Sequence, residues 1–534
     1  MFSWLLPVAD RGVFLIRPDG LGLARITIRP PALAGSPEGL FYDARMSDER
    51  SAERQLIDEL RLILGPRGWL DPVDAAQLTT DYRGVFSGTP LLVARPDSVE
   101  MVRAVVRACA SAGVAIVSQG GHTSLSGGSV PTEGRQSILL STTRMNRIVS
   151  VDPARFTITA EAGCTIEQVQ KEAAAVNLQL GMDWGARGTA TVGGAVSTNA
   201  GGLNVLRYGP ARDSVLGLEA VLADGEVFDG LRALRKDNTG YDLKHLFIGG
   251  EGSLGVVTRV VLRLHPHQDH HRTMFAALSE LEAVHELFAM ACARDQAGLT
   301  AFELVPETGV AATIETFGVV RPLSTVAEWY LLARFSGTAP VDATSKGFLS
   351  DAVDAGLVVD ATVAVTAAQE ENLWLMRDEL PPETLFDARG AKFDAAVPID
   401  RVAEFQRAAE TVTTELCGED AVVYSFGHLG DGNLHLYVVP ALQRGSRMDP
   451  GLASEVTGAI DELLWSMGGT VSAEHGVGQD LLDRVGRQKS PVELGMMRRV
   501  KAALDPDDLF NPGRGAHCAA VLSTDGKPTE KETP

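Results

Sequence analysis

The spacing of apolar residues changes several times along this chain, and each change marks an element. Leu56, Ile57, Leu60, Leu62 and Ile63 fall near helical spacing in MSDERSAERQLIDELRLILG, the stretch that opens at Met46. From about residue 84, short apolar runs alternate with amphipathic segments. PLLVARP predicts a strand, SVEMVRAVVRACASAG a helix, and VAIVSQGG a strand entering a turn, which is an α/β pattern. Between about 155 and 265 strand-like runs (FTITAEAG, LGLEAVLADGEVFDG, GVVTRVVLRLHP) are separated by long glycine-rich loops, as expected of a mixed α+β fold with backbone wrapped round a ligand. After the cluster His265, His267, His270 and His271 the pattern restarts with the helix LSELEAVHELFAMACARDQA and the strand AFELVP, so a domain boundary is expected near 270.

The two ends differ from the rest. Residues 1–45 are rich in Pro and Gly and show no sustained period, which reads as a poorly ordered arm or as a mis-assigned start, with Met46 the true one. The tail 516–534, ending STDGKPTEKETP, reads as disordered. A length of 534 residues exceeds one ordinary core and calls for two domains.

Composition removes several function classes. The balance of 48 basic against 69 acidic side chains, a net of -21, repels nucleic acid and anionic membrane. Cys109, Cys164, Cys292, Cys417 and Cys518 show no CxxC or CxxCH spacing, so no disulfide framework, c-type haem or iron-sulfur cluster is expected, and the cytoplasm is the expected compartment. No apolar run reaches the roughly 18 residues of a membrane helix. The opening MFSWLLPVADRGVF places acidic and Pro residues inside what would be a signal-peptide core.

Glycine carries the first chemical signal. Gly250-Glu251-Gly252-Ser253-Leu254-Gly255 matches GxGxxG, but it follows helix-like YDLKHLF and precedes a strand, the reverse of the order a Rossmann dinucleotide site needs. Three stretches taken together say more: QGGHTSLSGG (119–128), TATVGGAVSTNAGG (189–202) and GGEGSLGVVT (249–258). Glycines let backbone amides approach and donate to a pyrophosphate, and Thr123, Ser124, Ser197 and Thr198 add hydroxyl donors. A bulky dinucleotide held by loops is the reading.

Two long stretches, NAGGLNVLRYGPARDSVLGLEAVLADG and LRKDNTGYDLKHLFIGGEGSLGVVT, carry a resemblance to the FAD-binding domain of the vanillyl-alcohol oxidase and p-cresol methylhydroxylase superfamily. Within it the chain is most similar to the D-2-hydroxyglutarate and D-lactate dehydrogenases and the glycolate oxidase flavoprotein subunit, over about 80–515. The resemblance implies an α+β protein with a two-part FAD-binding domain (46–270) and an α+β cap domain (271–515). The resemblance further implies that the cap's antiparallel sheet covers the flavin and that its C-terminal segment returns to the FAD. The expected FAD contacts are Gly120, Gly121, His122, Thr123, Ser124, Leu125 and Gly128; Gly193, Gly194, Ser197, Asn199, Gly201 and Gly202; Glu251, Gly252, Gly255, Val256 and Val257; and Asn511. His122 departs from the dehydrogenase pattern. Berberine-bridge-enzyme relatives carry a covalent flavin on a His in an SGGH motif, so attachment at His122 stands beside the expected non-covalent FAD.

A second constellation lies in the other half. YSFGHLGDGNLHLYVV sets His428 and His435 on either side of a Gly-Asp-Gly-Asn turn, and SAEHGVG supplies Glu474 and His475. Two imidazoles and a carboxylate suit zinc or another divalent transition ion with positions open for substrate. In the resembled dehydrogenases the same motifs place the metal ligands on His428, His435 and Glu474. Hydride leaves an alcohol carbon only as the hydroxyl loses its proton, so a base is needed; His475 is assigned that role, with Glu474 as the alternative. Arg377 in LWLMRDEL and Lys392 in AKFDAAVPI offer cations for a carboxylate, and both match substrate-carboxylate residues of the resembled family. Two departures concern the substrate: Pro381 stands where the 2-hydroxyglutarate enzymes carry Thr, and Tyr437 where they carry Asn.

The expected activity is oxidation of a small 2-hydroxy acid, of D-lactate or D-2-hydroxyglutarate type, to the 2-oxo acid by hydride transfer to FAD. Electrons then pass to an external acceptor: electron-transfer flavoprotein, a quinone or a cytochrome. The alternatives are an oxidase using oxygen and a flavoprotein subunit of a glycolate-oxidase-like assembly. No nucleic acid or integral membrane segment is expected, and a homodimer is compatible with the reading.

Overall fold

The computed structural model of the chain describes residues 13–15, 24–26, 37–132 and 134–520. Residues 1–12, 16–23 and 27–36 of the expected N-terminal arm, and 521–534 of the expected tail, lie outside the described residues. The helix expected to open at Met46 opens earlier, at Pro37, and runs to Leu64. The chain from Ile57 onward is one compact unit that holds both lobes.

Within that unit the described strands form three sheets. The first has the order Trp69–Leu70, Val93–Ala94, Ser137–Ser141, Ala115–Gln119, with its last three strands parallel. The run PLLVARP yields only the two strand residues Val93–Ala94. The helix Val99–Ala112 packs beside it, started by the Ser98 hydroxyl accepting from the Met101 N–H and stopped by left-handed Gly113.

The second sheet is antiparallel, in the order Val227–Gly230, Val215–Val221, Val256–Pro266, Thr157–Glu161, Ile148–Asp152; Leu178–Leu180 pairs with the far end of the long strand. Its apolar face, including Ile158, Leu218 and Val260, packs on the helices Ile166–Ala174 and Val192–Thr198.

Three residues, 267–269, link the long strand Val256–Pro266 to the third sheet. Its seven antiparallel strands run Val358–Val363, His270–Leu278, Trp329–Gly337, Leu299–Pro306, Val422–His428, Asn433–Val439, Ala391–Ala396. Alternation decides its two faces. Leu434, Leu436 and Val438 point into a core shared with the helices Val402–Cys417 and Pro450–Ser466. Asn433, His435 and Tyr437 take the opposite face. The whole is an α+β fold.

The C-terminal segment returns to the first lobe. Ile116 donates to Leu509 O and accepts from Asn511 N, each at 2.8 Å, so residues 509–511 extend the sheet edge beside Ala115–Gln119. Buried Lys501 pins this return, reaching Ser253 O, Phe510 O and Asp505. Order continues past the expected start of the tail: Ala516–Cys518 form a 3-10 turn and Ala519 is buried, because Arg498 donates to the carbonyls of His517 and Ala519. Among the described residues no helix is long and apolar enough to cross a membrane.

Candidate active site

The expected cofactor residues come together from three loops and the C-terminal return. Gly120, Gly121, His122, Thr123, Ser124, Leu125 and Gly128 leave the strand Ala115–Gln119. Gly121 has no room for a side chain, since a Cβ there would sit 1.9 Å from Thr189 O. Gly193, Gly194 and Ser197 lie in the helix Val192–Thr198, capped by the Thr191 hydroxyl; Asn199 ends it, and Gly201 and Gly202 follow. Glu251 and Gly252 form the turn before Gly255, Val256 and Val257. Asn511 ties two of these pieces together: its amide donates to Glu251 O at 2.6 Å and its oxygen accepts from Ser118 N at 2.8 Å. His122, Asn199, Glu251 and Asn511 all have positive φ, between 43° and 59°. For a residue with a Cβ this costs up to about 1–2 kcal/mol, and such strain concentrates at functional loops.

His122 is fully engaged by protein. Its Nε2–H donates to Thr80 O at 2.7 Å, which leaves Nδ1 to accept from Gln119 Nε2 at 3.0 Å.

The second constellation is largely buried on the face of the seven-stranded sheet opposite the helices Val402–Cys417 and Pro450–Ser466, and strand register assembles it. Glu303 lies directly across from His428, Asp394 from His435, and Lys392 from Tyr437. The rings of His428 and His435 are 5.6 Å apart, and those of His435 and His475 are 5.8 Å apart and nearly parallel. Glu474 Oε1 stands 3.6 Å from His435 Nε2 and 3.5 Å from His475 Nε2, beyond hydrogen-bond length. Asp394, His435, Glu474 and His475 thus form one cluster of possible ligand atoms. Asp394, however, is occupied. Its Oδ2 accepts from the backbone N–H groups of Glu474 (2.8 Å) and His475 (2.9 Å), and its Oδ1 from Asn433 Nδ2 (3.0 Å). It braces the SAEHGVG loop.

His428 stands beside this cluster rather than in it. Its Nδ1 is 3.0 Å from Glu303 Oε1, and Arg377 donates through Nε to Glu303 Oε2 at 2.7 Å. Burial opposes the charge on Glu303, but His428 and Arg377 outweigh it and hold the carboxyl at about 2. Burial likewise opposes charge on His428, and Glu303 outweighs it, raising the imidazole above its ordinary value. His435 goes the other way: burial first, then His428 and Arg377, push it well below the ordinary value, so its ring is neutral. Burial also lowers Lys392, against the pull of Glu383. Each cation lies over an aromatic ring, Arg377 at 5.8 Å from Phe426 and Lys392 at 5.2 Å from Tyr437; those two rings are stacked.

The two constellations share one wall. The Glu251 carboxylate accepts from Val477 N (2.8 Å) and Gly478 N (2.7 Å), immediately after His475. Ser126 donates to the carbonyls of His475 and Gly476, and a Cβ on Gly201 would meet Glu474 Oε2 at 3.1 Å. Glycine loops and imidazole cluster therefore face each other across a few ångströms. Sequence reasoning missed Glu303 and Asp394. The available signal was one acid at an inward position of each of two apolar strands, AFELVP and AKFDAAVPI.

Residues 90–230 match the FAD binding domain family, and 267–514 match the family of FAD linked oxidases, C-terminal domain. The chain is 35% identical over 497 residues to the mitochondrial D-2-hydroxyglutarate dehydrogenase of Bos taurus, covering 92% of this chain and 88% of that protein. It is 33% identical over 445 residues to D-2-hydroxyglutarate dehydrogenase of Xanthomonas citri pv. viticola, covering 83% and 93%. Among solved structures, p-cresol methylhydroxylase with substrate bound shares the fold, with a TM-score of 0.65 at 19% identity over 87% of this chain and 97% of that one.

Proposed function

Because this chain belongs to the FAD-linked 2-hydroxy acid dehydrogenase family that includes the D-2-hydroxyglutarate dehydrogenases, we propose that its imidazole cluster, Arg377 and Lys392 bind a small 2-hydroxy acid and remove its hydroxyl proton. One observation carries the reading: the loops expected to hold FAD and the acid–base groups are hydrogen-bonded into a single wall through Glu251, Ser126 and residues 475–478.

When bound, FAD supplies the hydride acceptor and a divalent ion supplies a Lewis acid that eases loss of the hydroxyl proton. The chain's own residues do the rest. Arg377 spends its Nε on Glu303 and turns one terminal nitrogen toward His428, which leaves the other terminal nitrogen to grip the substrate carboxylate, while Lys392 adds a point charge. His475 takes the hydroxyl proton; its ring nitrogens lie 3.5 and 3.6 Å from Glu474 and Asp394 and are tied to neither. Glu474 is the alternative base.

The donor set fits a divalent transition ion such as zinc. A neutral imidazole, His435, and a carboxylate, Glu474, converge without hydrogen-bonding each other, and His428 can offer Nε2 while Nδ1–H stays on Glu303. The engagement of both His122 nitrogens supports FAD held without a covalent bond. The pre-270 and post-270 sheets support a cofactor lobe and a cap lobe. We assign reoxidation of the flavin to an external acceptor.

The test is anaerobic mixing of the purified flavoprotein with a panel of D- and L-2-hydroxy acids, following the flavin absorbance. Bleaching by one enantiomeric series, lost in Arg377→Ala and His475→Ala, supports the reading. A His475→Ala protein reduced as fast as wild type would remove His475 as the base.

A further inference from the structure

We propose that Glu303 is a positioning residue that couples the two halves of the site, holding the carboxylate anchor Arg377 and the imidazole of His428 in one register. The inference rests on the roles given above to Arg377 and His428.

Glu303 sits in the strand Leu299–Pro306 with 1% of its surface exposed. Its two oxygens are divided between two elements: Oε2 accepts from Arg377 Nε (2.7 Å) on the helix Ala367–Asp378, and Oε1 from His428 Nδ1 (3.0 Å) on the neighbouring strand. Arg377 Nη2 in turn lies 3.4 Å from His428 Nε2, which closes a three-membered ring of contacts. A buried carboxylate with each oxygen committed to a different partner cannot shift toward one without releasing the other.

Each contact selects a chemical outcome. With Nε spent on Glu303, the guanidinium must meet the substrate with its outer edge, so the direction of the carboxylate grip is set by a residue that never touches substrate. On the histidine side, a carboxylate at Nδ1 sets ring orientation and leaves Nε2 as the donor atom. Such partners of ligating imidazoles typically contribute 10–100-fold in metal affinity. Substrate anchoring and metal retention are therefore predicted to fail together when Glu303 is changed, although each fails alone when its own residue is changed. Glu303→Gln keeps the shape but has one acceptor oxygen, so its NH2 must either oppose a donor or force the proton of His428 onto Nε2, which removes that nitrogen as a metal ligand. Glu303→Asp keeps the charge but is too short to reach both partners.

The experiment uses FAD-loaded full-length protein: wild type, E303Q, E303D, R377K and H428A. The readouts are metal-to-flavin ratio, zinc affinity by chelator competition, and KM and kcat for flavin reduction by the 2-hydroxy acid active on wild type. R377K should raise KM alone, and H428A should lose metal most strongly. E303Q should raise KM roughly ten-fold and weaken zinc roughly 10–100-fold, with E303D shifting both in the same direction by less. A folded, yellow E303Q or E303D with wild-type KM and wild-type zinc affinity overturns the coupling, as does a loss of only one of the two. If E303Q does not fold, E303D decides by the same criteria. Wild-type protein free of divalent metal, or R377K with unchanged KM, defeats the site assignment itself and the coupling with it.

Discussion

Replacing Asp394 by Asn tests how the acid–base loop is held. The carboxylate accepts three hydrogen bonds, from Glu474 N, His475 N and Asn433 Nδ2, at 2.8–3.0 Å, and it is 6% exposed. An asparagine has one acceptor oxygen. If that oxygen faces the two loop N–H groups, its NH2 opposes the Asn433 amide; if it turns round, the NH2 opposes both backbone donors. A hydrogen bond to a charged acceptor contributes about 1.5–3 kcal/mol, and a neutral one about 1 kcal/mol. The exchange therefore costs roughly 3–7 kcal/mol, concentrated where Glu474 and His475 join the brace. A loop displaced by about 1 Å can cost 10²-fold in rate. Asp394→Asn should accordingly reduce its flavin with substrate roughly 10–100-fold more slowly in anaerobic stopped flow, with flavin still bound and bound metal retained, because the metal is assigned to His428, His435 and Glu474. Wild-type reduction kinetics would refute the brace. Loss of metal with unchanged loop protection in hydrogen exchange would instead make Asp394 a ligand.

Other consequences are accessible to simpler assays. Acid precipitation of the yellow protein should leave its flavin in the supernatant, and His122→Ala should not change this; colour in the wild-type pellet would contradict the hydrogen bonding of His122. Burial, then Arg263, Arg207 and Arg235, lower His265 from 6.5 to about 4. A base kept neutral in the fold contributes stability present above pH 6.5 and lost as pH falls through about 4. His265→Gln should therefore blunt the acid loss by on the order of 1–2 kcal/mol after solvent screening, read from urea midpoints at pH 7 and 4.5. Tyr437, 4% exposed and directly across from Lys392, fills space a short amide would leave open. Tyr437→Asn should raise kcat/KM for 2-hydroxyglutarate relative to lactate by roughly ten-fold, and an unchanged ratio would free Tyr437 from the specificity role.

Local spacing in the sequence was enough to mark several of the elements and most of the residues that carry the chemistry. Val99–Ala112, Val256–Pro266 and the hairpin that carries His428 and His435 follow from apolar period and turn residues, which act over a few positions. The glycine stretches announced close backbone approach because glycine alone tolerates it, as the 1.9 Å clearance at Gly121 demonstrates. Only the folded chain could decide which groups meet. Glu303 and Asp394 read as isolated acids in apolar strands until antiparallel register set them opposite His428 and His435, and that register belongs to pairings between strands up to 125 residues apart. The early opening of the Pro37–Leu64 helix and the ordered turn Ala516–Cys518 were also beyond local pattern. For that turn, the reason is that Arg498 reaches its carbonyls from a distant helix. Residue type and short-range period are written in one dimension; which oxygen each donor finds depends on packing in three.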